Sequence, residues 1–312
     1  MGVAAALGGY THLISVGTSV LRNAYTVVSK CFKENTCSIP VRSLEPTVLK
    51  DVLETLKPCI DPGRMDDVEC GRRLSRGSEA WKVVETLVSY APFAYSAELN
   101  AMKYFISQST KDCSVTMLDE AILYHTDTHA GRVSAEIVKG FLERLCHVKT
   151  YSKQVTGLGV FDRLFEGLSN LVREAYCDIK VRIGRGNVVL LNLTGGFKPE
   201  SGALLLAGSL AGASAAYYIH EAARKPVFIP IIRLSPQVDQ HLLEDAVEAL
   251  ASKSKISPED LPGYAWIIYI AEAMGLASRL PDNSYRLEPA RARYLAEYIR
   301  RLAFPEDCIR TA

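Results

Sequence analysis

The chain has little surplus charge of either sign. Lys and Arg number 36 and Asp and Glu 35 over 312 residues, a formal net charge of +1. That balance gives no reason to expect bulk attraction to a polyanion, so any phosphate site must be local. Nucleotide fingerprints are missing too. No Gly-x-x-x-x-Gly-Lys-Ser/Thr loop occurs, and the nearest approach to Gly-x-Gly-x-x-Gly, at Gly157 and Gly159, has Asp162 where the third glycine belongs. No Cys-x-x-Cys pair and no Cys/His cluster with zinc spacing is present, so neither a metal nor a cofactor is expected. Cys31, Cys37, Cys59, Cys70, Cys113, Cys146, Cys177 and Cys308 read as reduced, mostly buried thiols of a cytoplasmic protein. The exception would be a hyperthermophile, whose cytosolic proteins can carry disulfides; scarce glutamine fits that source only weakly. No basic leader precedes the apolar residues Val3 to Leu7, a poor signal peptide. The one long small-and-apolar run, Ala203 to Ile219, is broken by glycines, Ser209 and Ser214. It reads as a helix packed under a sheet and leading into a strand, not as a membrane span.

What is present is organised around residues 188–200. Val188 to Leu191 is an apolar, β-branched run that reads as a strand buried on both faces. It ends in Asn192-Leu193-Thr194-Gly195-Gly196-Phe197-Lys198, and Ser201 to Gly208 then reads as the first turns of a helix. A strand passing through two glycines into a helix N-terminus suits an anion. The first helical N–H groups lack partners, the dipole favours negative charge, and glycines admit close approach. Lys198 adds a positive charge there.

The same pattern recurs. Thr11 to Val16 is a strand, Gly17-Thr18-Ser19 a turn, and Val20 to Lys30 a helix that Thr18 or Ser19 would cap. Helices are expected over Glu45 to Leu56, Ser78 to Tyr90 and Ser96 to Ser107, with a loop over Lys57 to Arg76. Ser114 to Tyr124 brings the next strand, strongest at Ala121 to Tyr124. It ends in His125-Thr126-Asp127-Thr128-His129-Ala130-Gly131 before a helix from Arg132 to Cys146. His125 and His129 lack a third ligand, and Thr126 and Asp127 are candidate caps. Val148 to Lys153 is a strand and Gly159 to Ala175 a helix; Ala215 to Ile219 and Val227 to Leu234 are the last strands, with Pro230 marking an edge or the end of pairing. Strands alternating with helices predict an α/β fold, a mostly parallel sheet with helices on both faces. Ligands then bind beyond the carboxyl ends of the strands, where all three polar turns fall.

A boundary falls at Leu234-Ser235-Pro236, giving domains of residues 1–235 and 236–312. The second reads as helices over Val238 to Lys253, Ser257 to Leu261 and Tyr264 to Met274, then a hairpin around Pro281 to Ser284, then a helix from Glu288 to Leu302. That order suggests a small α+β winged-helix-like domain. From Pro236 onward nine Lys and Arg stand against twelve Asp and Glu, net −3, which argues against duplex DNA as a partner. Arg291, Arg293, Arg300 and Arg301 cluster but alternate with acids.

Leu13-Ile14-Ser15-Val16-Gly17-Thr18-Ser19-Val20-Leu21-Arg22-Asn23, the turn Thr126-Asp127-Thr128-x-x-Gly131, and Asn192-Leu193-Thr194-Gly195-Gly196-Phe197-Lys198 together resemble the CARF domain of CRISPR-associated proteins, in its ring nuclease branch. The resemblance covers roughly residues 10–235. It implies a Rossmann-like fold, a two-fold homodimer, and a cyclic oligoadenylate ligand, most often cyclic tetra-adenylate, made during type III CRISPR defence. By the same resemblance, Ser19 and Lys198 are the catalytic pair. Gly17, Thr18, Arg22, Asn23, Thr126, Asp127, Thr128, Gly131, Asn192, Thr194, Gly195 and Gly196 would bind the ring. Family members that carry a HEPN ribonuclease have an Arg-x-x-x-x-His motif. Here the last histidine is His241, and Pro236 stands five residues before it.

The implied chemistry needs no metal. An RNA ring carries its own nucleophile, the 2′-hydroxyl, and the protein holds it in line with the adjacent phosphate. Lys198 would stabilise charge on the phosphate oxygens, with Ser19 fixing the phosphate. The alternative is a non-catalytic sensor of the same ring that acts as a winged-helix transcription regulator.

Overall fold

The computed structural model describes residues 8–34, 44–60, 64–108, 113–159, 161–219, 225–232, 234, 245–246, 248–250, 252–261, 265–273 and 277–287. Two compact units are present, Met1–Arg233 and Leu234–Ala312.

The first unit is built on strands β1 (Tyr10–Val16), β4 (Glu120–Thr126), β5 (Lys149–Val155), β6 (Val188–Asn192), β7 (Ala215–Ile219) and β8 (Pro226–Pro230). A short hairpin, β2 (Ile106–Gln108) and β3 (Cys113–Val115), stands apart from this sheet. The sheet order is β5-β4-β1-β6-β7-β8, with every pair parallel except the last. Only β8, one of the two edge strands, runs antiparallel, and both its ends are prolines. The chain leaves β1 towards β4 on one side and returns to β6 on the other. This reversal is the switch point of a Rossmann-like sheet.

Helices cover both faces, so β1 reads as an unbroken buried run with no polar-out alternation. Ile14 and Val16 sit in a core with α1 (Ser19–Glu34), α2 (Pro46–Ile60), α4 (Glu79–Tyr90) and α7 (His129–Arg144). The other face carries α8 (Leu164–Gly184) and α9 (Lys198–Ala211), which pack on each other and on β6. A buried ionic network locks α8 to the sheet. Asp178 accepts from Arg182 at 2.7 Å, from Lys153 at 2.6 Å and from the Tyr124 hydroxyl at 2.6 Å, while Arg182 also reaches Glu120 at 2.7 Å. The ring of His12 bridges β1 to the Tyr217 hydroxyl (2.7 Å) and the Met117 carbonyl (2.8 Å). Burial pushes that imidazole down to about 4, so it is neutral near pH 7.

Four sequence expectations change. The segment read as loop over Lys57 to Arg76 is largely helical: α2 runs past Pro58 to Ile60, and α3 spans Arg64–Arg73. Pro58 cannot donate to the Glu54 carbonyl, four residues back, but the Arg73 guanidinium does so at 3.3 Å, which offsets the lost helical bond. Second, the cysteines are not free thiols. Cys59–Cys70 and Cys113–Cys146 are disulfides, Cys31 and Cys177 are disulfide-bonded, and no described cysteine is free. Cys59–Cys70 clamps α2 to α3, and Cys113–Cys146 ties β3 to the end of α7. Third, the helix expected over Ser96 to Ser107 is only α6 (Ala97–Ala101), preceded by α5 (Pro92–Tyr95); the chain then turns into β2. Fourth, the strand expected over Ser114 to Tyr124 divides into β3 and β4.

In the second unit, β9 (Lys255–Ile256), β10 (Ala277–Arg279) and β11 (Tyr285–Leu287) form an antiparallel sheet in the order β10-β11-β9. Helix α10 (Trp266–Ala273) packs with it around Ile256, Ile268 and Leu287, joined by Leu261, which follows a 3-10 turn at Pro258–Asp260. The hairpin expected at Pro281 to Ser284 is therefore present. Most of the helix expected over 238–253, the helix over 288–302 and the arginines at 291, 293, 300 and 301 lie outside the described residues. None of the described helices is long and apolar enough to cross a membrane.

Candidate functional site

Because β1, β4 and β6 are parallel and in register at Val16 with His125 and at Ile14 with Asn192, the turns that follow them emerge on one edge of the sheet. Gly17–Ser19 and Thr194–Lys198 meet at the switch point itself. A methyl group on Gly17 would come 2.9 Å from the Gly196 amide nitrogen. Gly196 has φ +76, and a side chain there would strike Ser15 and Glu200. A side chain on Gly195 would run into Glu98 and the Ser15 carbonyl. Three glycines are thus required, Gly196 by its backbone conformation and Gly17 and Gly195 by close approach.

Beneath these loops lie two carboxylates. Glu98 on α6 is fully buried. One of its oxygens accepts the Gly17 amide at 2.9 Å; the other accepts Ser19 Oγ at 3.0 Å and Ser96 Oγ at 2.7 Å. Ser19 Oγ in turn accepts the Ala97 amide at 3.1 Å, so this hydroxyl joins the start of α1 to the start of α6. Asn192 Nδ2 donates to the Glu98 carbonyl (3.0 Å), and its Oδ1 accepts the Thr194 amide (3.1 Å), which sets the course of the second loop. Thr194 Oγ1 accepts the Ile219 amide (3.1 Å) and anchors that loop to β7.

The second carboxylate, Glu200, occupies the third residue of α9. It accepts Ser15 Oγ at 2.8 Å and the Phe197 amide at 3.2 Å, the second bond being half of a capping box. Burial pushes its carboxyl up to about 6; the Ser15 and Phe197 bonds oppose that rise and nearby Glu98 adds to it. The other Glu200 oxygen is buried without a hydrogen-bond partner among the described residues.

Part of the negative charge that the helix N-termini favour is therefore supplied from within. In the two loops and the helix turns that follow them, Lys198, Phe197 and Arg22 are exposed, and Thr18 and Ser19 are half-buried. Since α1 starts at Ser19, its first-turn amides have no helical acceptor. Asn23 is turned aside, donating to the Tyr95 carbonyl at 3.0 Å.

The turn after β4 does structural work. Thr128 caps α7 by accepting the Gly131 amide (3.0 Å) and bonds to the Thr126 hydroxyl (2.6 Å). Asp127 accepts the amides of Gly157 and Gly159, both at 2.8 Å, and so fixes the turn after β5. Asp67 on α3 accepts the His129 and Ala130 amides at the same helix start. The two histidines do not converge. Buried His125 is hydrogen-bonded at Nδ1 to the Thr126 carbonyl, and burial holds its pKa below the usual value; His129 is packed beside Gly71 and bonds to Arg132. Among the described residues no group of three or more His, Cys, Asp or Glu is placed to hold a metal ion.

Residues 93–232 match the model of a CRISPR-associated protein family, Cas_APE2256. The matched segment is similar to that family from α5 through β8. It contains Glu98, the Thr126–Gly131 turn, Asn192 to Lys198 and Glu200, and it leaves out the Gly17–Ser19 loop.

Sequence reasoning missed Glu98 and gave Glu200 no role beyond its place in the loop. Glu200 carried a signal, an acid three residues into a helix that opens at Phe197. Glu98 carried none, because the residues it serves are Gly17 and Ser19, about 80 positions away.

Proposed function

We propose that the first unit binds cyclic tetra-adenylate across the two-fold axis of a homodimer and opens it by attack of a ribose 2′-hydroxyl on the adjacent phosphate, without a metal. Linear products ending in a 2′,3′-cyclic phosphate would result, and the type III antiviral signal would be switched off. The observation that carries this reading is the meeting of two glycine-hydroxyl loops, Gly17–Ser19 and Thr194–Lys198, at the switch point of the sheet, with Lys198 exposed beside them. The CRISPR-associated match over residues 93–232 supports the biological setting. Lys198 is suited to the charge that builds on the phosphate oxygens in the transition state. A two-fold dimer offers two such loop pairs to opposite phosphates of a four-fold ring.

The test is equilibrium binding of labelled cyclic tetra-adenylate with product analysis and measurement of mass in solution. One ring per dimer, followed by linear products, is the expected result. Absence of binding at micromolar protein would overturn the reading. A second reading, a ring sensor that regulates transcription, is favoured by the three-stranded sheet with its hairpin in the second unit, which suits a winged-helix-like domain. The acidic balance of that unit weighs against it, and a salt-dependent shift of promoter DNA would support it.

A further inference from the structure

A serine hydroxyl has one proton and two lone pairs. At Ser19 the proton faces Glu98 at 3.0 Å and one lone pair takes the Ala97 amide at 3.1 Å. The direction of the first bond is fixed by the surroundings. The polar groups around the Glu98 carboxylate are donors: the Gly17 amide, Ser96 Oγ and Ser19 Oγ. Ser96 is itself committed as an acceptor, capping α6 through the Leu99 amide at 3.2 Å. What Ser19 still offers outward is one lone pair on a half-buried oxygen with a buried carboxylate behind it. A phosphate oxygen brings no proton to such a group. A ribose hydroxyl does.

We propose that Glu98 is the positioning residue and proton acceptor of ring opening, acting through Ser19, which receives the 2′-hydroxyl proton and does not grip the phosphate. The inference rests on the ring-cleaving reading above and deepens it. The 2′-oxygen bonds to phosphorus while its proton passes to Ser19 Oγ and the Ser19 proton passes to Glu98. The bond from phosphorus to the 5′-oxygen breaks, and that oxygen takes a proton from water. Glu98 then returns its proton to solvent. Glu98 is held for this by three donors and by Asn192, which pins its carbonyl. The ionisable group that faces it across the second loop is Glu200; Lys198 stands at the surface.

The experiment compares wild type, Ser19→Ala, Glu98→Gln, Glu98→Asp and the Ser19→Ala/Glu98→Gln double variant. Ring affinity and single-turnover cleavage of labelled cyclic tetra-adenylate are read separately, in EDTA. Glu98→Gln should bind the ring nearly as wild type does and cleave it about 100-fold more slowly, the usual scale for loss of a general base. Glu98→Asp should recover part of that rate, and the double variant should be no slower than the worse single one, because the two residues act as one unit. Should Glu98→Gln not fold, Ser19→Ala decides alone: lost rate with retained affinity supports the proposal, whereas lost affinity with an unchanged rate at saturation overturns it. Wild-type rate in Glu98→Gln also overturns it and leaves the ring-cleaving reading standing. An intact ring bound to wild-type protein defeats that reading itself, and the inference with it.

Discussion

Replacing Glu200 by Gln should remove a pH dependence of stability that the site builds in. The native carboxyl sits at about 6 against an ordinary 4.5. Folding therefore tightens its proton by about 2 kcal/mol. Between these two values the native state holds more proton than the unfolded chain, so stability from this group is greatest below pH 4.5 and falls as pH rises through 6. Both bonds that Glu200 accepts fall on one oxygen, so a glutamine carbonyl can keep them while its amide takes the unpartnered position. Urea unfolding would be followed by fluorescence of Trp81, buried in α4 of the first unit, in a Trp266→Phe background so that the second unit is silent. Relative to Glu200→Gln, the protein with Glu200 should lose about 2 kcal/mol between pH 4.5 and 7.5. A difference that stays constant over that range would refute the assignment of a buried carboxyl beneath the second loop that holds its proton more tightly than the unfolded chain does.

Two further outcomes follow from the packing. Gly195→Ala should cost about 1–3 kcal/mol and lower the melting temperature, since the new methyl meets the Glu98 carboxylate and the Ser15 carbonyl; an unchanged melting temperature would mean that the loop has room it does not show. Breaking Cys113–Cys146 by a double serine substitution opens a loop of 33 residues and should cost about 3–4 kcal/mol by chain entropy. Equal unfolding midpoints with and without reductant would contradict that bond's contribution.

The middle of the sheet was legible because β1, β4 and β6 are buried on both faces. Residues 188–191 and 215–219 read as continuous apolar runs and residues 11–16 as an alternating-to-apolar one, and each stops at glycine or a polar residue. Turn chemistry then placed the loops, and parallel order placed those loops on one edge. Other features needed long-range partners. The helix through Pro58 is held by Arg73, and α3 by a disulfide to Cys59; a local reading of proline and glycine returns a loop there. The disulfides were missed because compartment was taken as the guide to cysteine chemistry, while pairing depends on which chains lie side by side. Glu98 shows the same limit at the site. An exposed-looking acid on a short helix becomes the floor of the first loop only once the segments around residues 17 and 98 meet.

The most direct test of the account is incubation of the purified chain with radiolabelled cyclic tetra-adenylate in EDTA, beside Lys198→Ala. Lys198 is exposed and its substitution should leave the fold intact. Linear adenylates bearing a 2′,3′-cyclic phosphate are expected from the wild type, and a ring left essentially uncut by the variant. A ring that survives the wild type, or is cut equally fast by Lys198→Ala, would contradict it.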